Sequence, residues 1–268
     1  MNTIKFVDSH CHLNMLDLTP YGGDLQQVFV QASDLNVGYF LCVGVTLDDH
    51  ATLVSIAEKY SNVVISAGLH PNEKPGELLP LSQLQQAAKH PKVVAIGETG
   101  LDYYRTAKDQ AWQKTRFIQH INCAKEYRKP LIIHTRAAKE DTIQVMQQEN
   151  AGEIGGVMHC FTEDWDTAKK ALDLGFYISF SGIVTFKNAK ELQEVARKVP
   201  LDRMLIETDS PYLAPMPHRG KPNVPGFVSF VAEFIATLRG EKLETIAEQT
   251  THNFFTLFNT APKPSWLA

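Results

Sequence analysis

Along the chain, short runs of apolar and β-branched residues alternate with longer stretches in which apolar positions recur every three or four residues. The first pattern is that of buried strands, the second that of amphipathic helices. Eight runs of the first kind lie at residues 4–8, 38–44, 63–68, 93–98, 131–134, 157–159, 176–181 and 204–209. Helical periodicity predicts helices over 24–36, 48–60, 81–90, 108–128, 139–149, 166–174 and 188–198, with two more over 225–239 and 242–258. Strand and helix alternating from one end to the other argue for parallel βαβ units. Eight such units predict an α/β protein built as a (β/α)8 barrel.

The length of 268 residues fits one barrel rather than two domains. Residues 1–260 are therefore expected to form a single domain, and Ala261-Pro262-Lys263-Pro264-Ser265 to begin a loose C-terminal tail over 261–268. Proline and glycine cluster only briefly, near 212–225, so no linker divides the chain.

Composition narrows the function classes. An apolar fraction of 44% with 21% charged residues is that of a soluble globular protein with an ample core. The net charge of −4 is unlike that of a protein that coats nucleic acid, so any polyanion must be engaged locally. Neither a signal peptide nor an apolar run of membrane-spanning length is visible, which makes a cytoplasmic protein without membrane association the expectation. Nothing implies an obligate protein partner. Cys11, Cys42, Cys123 and Cys160 show no CxxC spacing and read as reduced thiols.

Candidate chemistry gathers where the apolar runs end. In Asp8-Ser9-His10-Cys11-His12, strand alternation points His10 and His12 the same way and Cys11 the other. An H-x-H alone can merely cap a strand. Glu98, His134, His159 and Asp209, however, each close a further β-like run, and in a parallel barrel these ends converge on one face, where barrel enzymes keep their active sites. Four imidazoles and two carboxylates exceed one tetrahedral site but suit two divalent ions sharing a carboxylate. Cys160 neighbours His159 as Cys11 neighbours the histidine pair, so both thiols are expected to face the surrounding helices.

Other residues lie near the same mouth. His70, after the third run, is either a substrate or leaving-group contact or a loop-packing residue. Asp102 and Glu207 are placed to orient ligands, and Arg136, Arg219 and Lys221 to form a local anion-binding rim. His50, His90, His120 and His252 end no strand and are assigned surface or capping roles.

These segments together resemble the TatD family of metal-dependent hydrolases, often described as TatD deoxyribonucleases, and in particular its YcfH-like branch. The resemblance spans nearly the whole chain. It is carried by Val7-Asp8-Ser9-His10-Cys11-His12-Leu13, Gly68-Leu69-His70-Pro71, Gly97-Glu98-Thr99-Gly100-Leu101-Asp102-Tyr103-Tyr104, His134-Thr135-Arg136, His159-Cys160-Phe161 and Glu207-Thr208-Asp209-Ser210-Pro211-Tyr212-Leu213-Ala214-Pro215. It implies a TIM barrel of the metal-dependent hydrolase type in which His10, His12 and Asp209 hold one ion, His134 and His159 hold the other, and Glu98 bridges. It also implies phosphodiester hydrolysis in DNA, typically from the 3′ end.

On that reading two divalent ions (Zn, Mn, Mg or Ni) activate a bridging water as hydroxide nucleophile, and Asp209, with Glu98 the second catalytic carboxylate, serves as general base. The expected partner is single-stranded DNA bound at the barrel mouth. An amidohydrolase-like enzyme acting on a small amide, lactone or aminoacyl ester would use the same ions and is the alternative; a non-catalytic scaffold would have no need for convergent buried charge.

Overall fold

The structure, a computed structural model, describes residues 5–105 and 111–267. The expected strand start at Ile4, the helix start at 108–110 and Ala268 lie outside them. Eight strands, β1 (Phe6–Cys11), β2 (Val37–Cys42), β3 (Val63–Ala67), β4 (Val93–Asp102), β5 (Leu131–Arg136), β6 (Gly156–Met158), β7 (Tyr177–Phe180) and β8 (Met204–Ile206), form one parallel sheet in sequence order. Between them run α1 (Leu25–Asp34), α2 (His50–Lys59), α3 (Leu81–Ala88), α4 (Ala111–Tyr127), α5 (Lys139–Gln148), α6 (Trp165–Asp173) and α7 (Lys190–Lys198), followed by α8 (Val228–Arg239) and α9 (Leu243–Leu257). This is the (β/α)8 TIM barrel.

Strand alternation explains the two apolar layers. Val7, Tyr39, Leu41, Val64, Val94, Ile132, Val157, Tyr177 and Leu205, drawn from all eight strands, meet in one cluster inside the barrel. Their strand neighbours, among them Phe6, Phe40, Ile65, Val93, Leu131 and Ile178, pack outward beneath the helices. Strands buried on both faces must be apolar throughout, which is why they read as unbroken runs.

One end of the barrel is stoppered. Phe254, Phe255 and Phe258 of α9 join the interior cluster, and Tyr39 and Phe255 meet edge to face at 5.0 Å. Burying an aromatic of this size contributes about 1.5–3 kcal/mol. The residues beyond are not the loose tail their composition suggests: Ala261 is buried, the Tyr39 hydroxyl donates to the Pro262 carbonyl at 2.9 Å, and Trp266 and Leu267 pack on the same cluster. With the amino-terminal ends of the strands closed, the carboxyl ends form the open mouth.

The seam between β1 and β8 is closed largely by one side chain. Asp8 is fully buried and accepts from the Thr208 amide at 2.8 Å and the Thr208 hydroxyl at 2.6 Å, while the Ser9 hydroxyl donates to the Ile206 carbonyl at 2.9 Å. Two main-chain bonds, Asp209 N–H to His10 and His12 N–H to Ser210, extend the seam to the mouth. Thus Asp8 fixes the register of His10 and His12 against Asp209.

Candidate metal centre

β4 carries the central carboxylate, and it is longer than the sequence pattern suggests. Apolar residues end at Ile96, but the strand continues to Asp102, with a register shift against β5 between Ile96 and Thr99. Glu98 therefore sits at an irregularity within the strand and not at its end, and such bulges re-aim a side chain. Glycine is required here. Gly100 has φ of +130°, and a Cβ on it would lie 2.0 Å from the His134 carbonyl. The close approach of β4 to β5 brings Glu98 to His134.

Glu98 is 3% exposed. Its Oε1 lies 2.8 Å from His159 Nε2, 3.1 Å from His134 Nδ1 and 3.3 Å from His70 Nε2, and its Oε2 lies 3.4 Å from His10 Nε2. Asp209 Oδ1 lies 3.2 Å from His12 Nε2 and 3.5 Å from His10 Nε2. Ligand-type atoms thus form three overlapping groups: His10, His12 and Asp209; His10, Glu98 and His159; His70, Glu98 and His134. The expected ligand positions come together, and His70 joins them.

Residues behind these imidazoles fix their tautomers. His12 Nδ1–H donates to the Val43 carbonyl at 2.9 Å, His134 Nε2–H to Asp102 Oδ2 at 3.1 Å, and His159 Nδ1–H to Glu207 Oε1 at 3.3 Å. In each ring the other nitrogen keeps its lone pair, and that nitrogen is the one facing Glu98 or Asp209. Lone pair and carboxylate repel at these distances unless positive charge sits between them. Protons are one source of it: burial disfavours charge on all three rings, yet Asp209 raises the pKa of His12, Asp102 and Glu98 that of His134, and Glu98 and Glu207 hold that of His159 well above the ordinary value. Both nitrogens of His10, Nε2 of His159 and Oε2 of Glu207 are buried without a hydrogen-bond partner among the described residues. Divalent cations between the inward-facing imidazole nitrogens and the carboxylates would relieve this repulsion and partner His10 Nε2 and His159 Nε2, and a metal-ligating histidine backed by a carboxylate or carbonyl is the usual arrangement. The donor set fits metal.

Alternation fails beyond the strand ends. β8 stops at Ile206 and Asp209 adopts φ of +56°, so Glu207 and Asp209 do not share a face: Glu207 Oε1 turns to the Cys160 amide at 2.8 Å, Asp209 to His12. Cys160, expected against the helices, likewise lies past its strand with φ of +43° and sets Sγ 3.2 Å from the Ser181 hydroxyl. Cys11, inside β1, does pack in the outer layer, its thiol donating to the Leu41 carbonyl at 3.4 Å.

The basic residues do not converge. The guanidinium of Arg136, the last residue of β5, lies 4.0 Å above the ring of Tyr104, which follows β4, whereas Arg219, after β8, lies 4.2 Å above Phe186, after β7. Lys221 is exposed in the same loop as Arg219. The mouth thus carries two cation–aromatic pairs at separate places, with Tyr104 67% exposed.

One histidine given a surface role is buried. His120 of α4 has no exposure; its Nδ1–H donates to the Arg116 carbonyl at 2.7 Å and its Nε2 accepts the Leu69 amide at 3.0 Å. Its partner is main chain 51 residues away, for which no sequence signal exists. Burial lowers its pKa to about 4, so the folded state favours neutral imidazole. This stabilisation is complete above the ordinary histidine value and is lost as pH falls through the folded value, on the order of 3 kcal/mol in all. In thermal melts between pH 7 and pH 4.5, His120→Gln is expected to show a shallower loss of Tm than the parent; parallel losses would assign the acid sensitivity elsewhere.

A parallel barrel with imidazole and carboxylate donors gathered at its carboxyl mouth defines a metal-dependent hydrolase. Comparison with known proteins gives the family: a model described as TatD related DNase matches residues 7–259, and the chain belongs to the TatD family. It is 49% identical over 94% of its length to the uncharacterized metal-dependent hydrolase YcfH of Escherichia coli K12, 95% of which is covered. It is 40% identical, again over 94%, to YabD of Bacillus subtilis, an uncharacterized metal-dependent hydrolase covered to 98%. Among solved structures, the TatD homolog YjjV of E. coli superposes with a TM-score of 0.88 at 30% identity, over 97% of this chain and 99% of that one. No helix among the described residues is long and apolar enough to cross a membrane.

Proposed function

We propose that the protein is a two-metal deoxyribonuclease that trims single-stranded DNA from an end, 3′ to 5′. The observation that carries the metal reading is the set of lone-pair nitrogens of His12, His134 and His159 held against the carboxylates of Asp209 and Glu98. His10, His12 and Asp209 would hold one ion and His134 and His159 the other, with Glu98 between, since its two oxygens face different members of the set. When bound, divalent ions acidify water and polarise a phosphoryl oxygen.

The chain's own residues supply the rest. Asp209 is half-buried, which opposes its charge, but His12, His10 and His159 hold its pKa below the ordinary value. It is therefore ionised at neutral pH and suited to take a proton from attacking water. Glu207 and Asp102 hold His159 and His134 in the ligating tautomer.

Nucleic acid is favoured by the rim. An exposed tyrosine beside an arginine offers a base a stacking surface and its phosphate a charge, a combination suited to single strands. A duplex end would have to fray before entering the mouth, at a cost of a few kcal/mol. The test is degradation of end-labelled single-stranded and blunt duplex DNA across a salt series, beside small esters and amides. Single strands should be cut faster, from the 3′ end, with a shallow salt slope of about −0.7 for each of a few phosphate contacts. Equal rates on both forms or internal first cuts would reject end-trimming; turnover of an ester or amide with none of DNA would reassign the substrate.

A further inference from the structure

His70 belongs to the cluster by distance but not by chemistry. Its Nδ1 accepts the Asn72 amide hydrogen at 3.1 Å. A main-chain N–H can only donate, so Nδ1 keeps its lone pair and the ring proton resides on Nε2. The atom directed at Glu98 is therefore an N–H group, the opposite of the arrangement at His12, His134 and His159.

The loop carrying His70 is held from behind by one face of α4. Arg116, buried and paired with no carboxylate among the described residues, donates to the main-chain carbonyls of Glu73 at 2.7 Å and Glu77 at 2.9 Å, and also to that of Lys74. His120 holds the Leu69 amide, and Gln113 donates to the Pro71 carbonyl at 3.3 Å while accepting the Asp102 amide at 2.9 Å. Residues 113, 116 and 120 lie on one helical face. Main-chain bonds at 69, 71, 73, 74 and 77 hold the loop on both sides of the ring, and flipping the ring would set Cδ2–H, which cannot accept, against the Asn72 amide.

We infer that His70 is not a metal ligand but a fixed hydrogen-bond donor at the mouth, whose Nε2–H is given to an anionic oxygen of the substrate. The inference rests on metal-dependent hydrolysis at this site. With cations held by the cluster, the Glu98 carboxylate would be committed to them, and the Nε2–H beside it would need another acceptor. The side chain is 16% exposed, so an entering oxygen can reach it. No proton leaves the ring; the hydrogen bond stabilises charge that grows on oxygen during displacement at phosphorus.

The experiment compares His70→Ala, His70→Gln and wild type, with bound metal counted after dialysis and kinetics measured on end-labelled single-stranded DNA and on a p-nitrophenyl phosphodiester. His70→Ala should keep the wild-type metal count while kcat falls about 10²–10³-fold, the usual effect of losing one donor to a developing oxyanion. His70→Gln, which retains an N–H, should recover at least tenfold of that loss. A lower metal count in folded His70→Gln would make His70 a ligand and overturn the inference, as would full metal with wild-type kcat in His70→Ala. If His70→Ala does not fold, the count and rate of His70→Gln against His70→Leu decide by the same criteria. Failure of the DNA reading would show separately, as wild-type inactivity on DNA, and leaves the metal count and phosphodiester arms in force.

Discussion

Glu98→Gln should reduce turnover by about 10³-fold or more. Glutamine preserves volume but removes the charge toward which His10, His70, His134 and His159 converge, and presents an amide hydrogen where a lone pair is needed. Burial alone would push the Glu98 pKa up; the surrounding histidines instead hold it well below the ordinary value, so the group acts as an anion throughout. Under the proposed two-ion arrangement, losing a shared ligand would remove several kcal/mol of charge stabilisation, and each 1.36 kcal/mol is worth about tenfold in rate. The check is kcat together with bound metal. Wild-type turnover at full occupancy would show that the central carboxylate does not hold the ions.

The second large effect is expected at Asp209. Asp209→Asn keeps shape and removes the basic oxygen, so kcat should fall roughly 10²-fold or more from lost proton abstraction, and counting bound metal beside kcat separates that loss from loss of an ion. Because the parent carboxylate titrates below the ordinary range, the parent rate should hold across neutral pH and fall only in acid, as the carboxylate is protonated. In the asparagine variant that acid limb should vanish along with the rate. Wild-type kcat, or an unchanged acid limb on the residual rate, would move the base elsewhere.

Much of this was legible in the chain because a barrel converts sequence position into spatial position. An apolar run buried on both faces marks a strand, and the polar residue that ends it marks the mouth, so His10, His12, His134 and His159 can be found without coordinates. Glu98 is different. Thr99-Gly100-Leu101-Asp102 has the look of a turn, and only the close fit of Gly100 against His134 carries the strand onward. Cys160 misleads because alternation ends with the strand and its backbone turns left-handed. The Asp8 seam, the α4 face behind His70 and the packed residues after Ala261 depend on partners far away in sequence. Local pattern holds no trace of such bonds.

The rim illustrates the same limit. Charge counts point to Arg136, Arg219 and Lys221 as one group, yet their strands are spread around the barrel and each arginine lies on its own aromatic ring. If the substrate is nucleic acid, as proposed, phosphate contact at the mouth would fall at two separate places. A guanidinium stacked on a ring keeps its edge N–H groups free for phosphate, which a lysine would not reproduce.

Metal dependence on DNA itself tests the account most directly. Protein stripped of divalent ions with a chelator, then titrated with Zn, Mn, Mg or Ni, should be inactive on end-labelled single-stranded DNA at the start and should recover as ions bind, reaching its plateau at about two per chain, the number that a shared carboxylate and opposed histidine sets imply. Full nuclease activity in the stripped protein would contradict it.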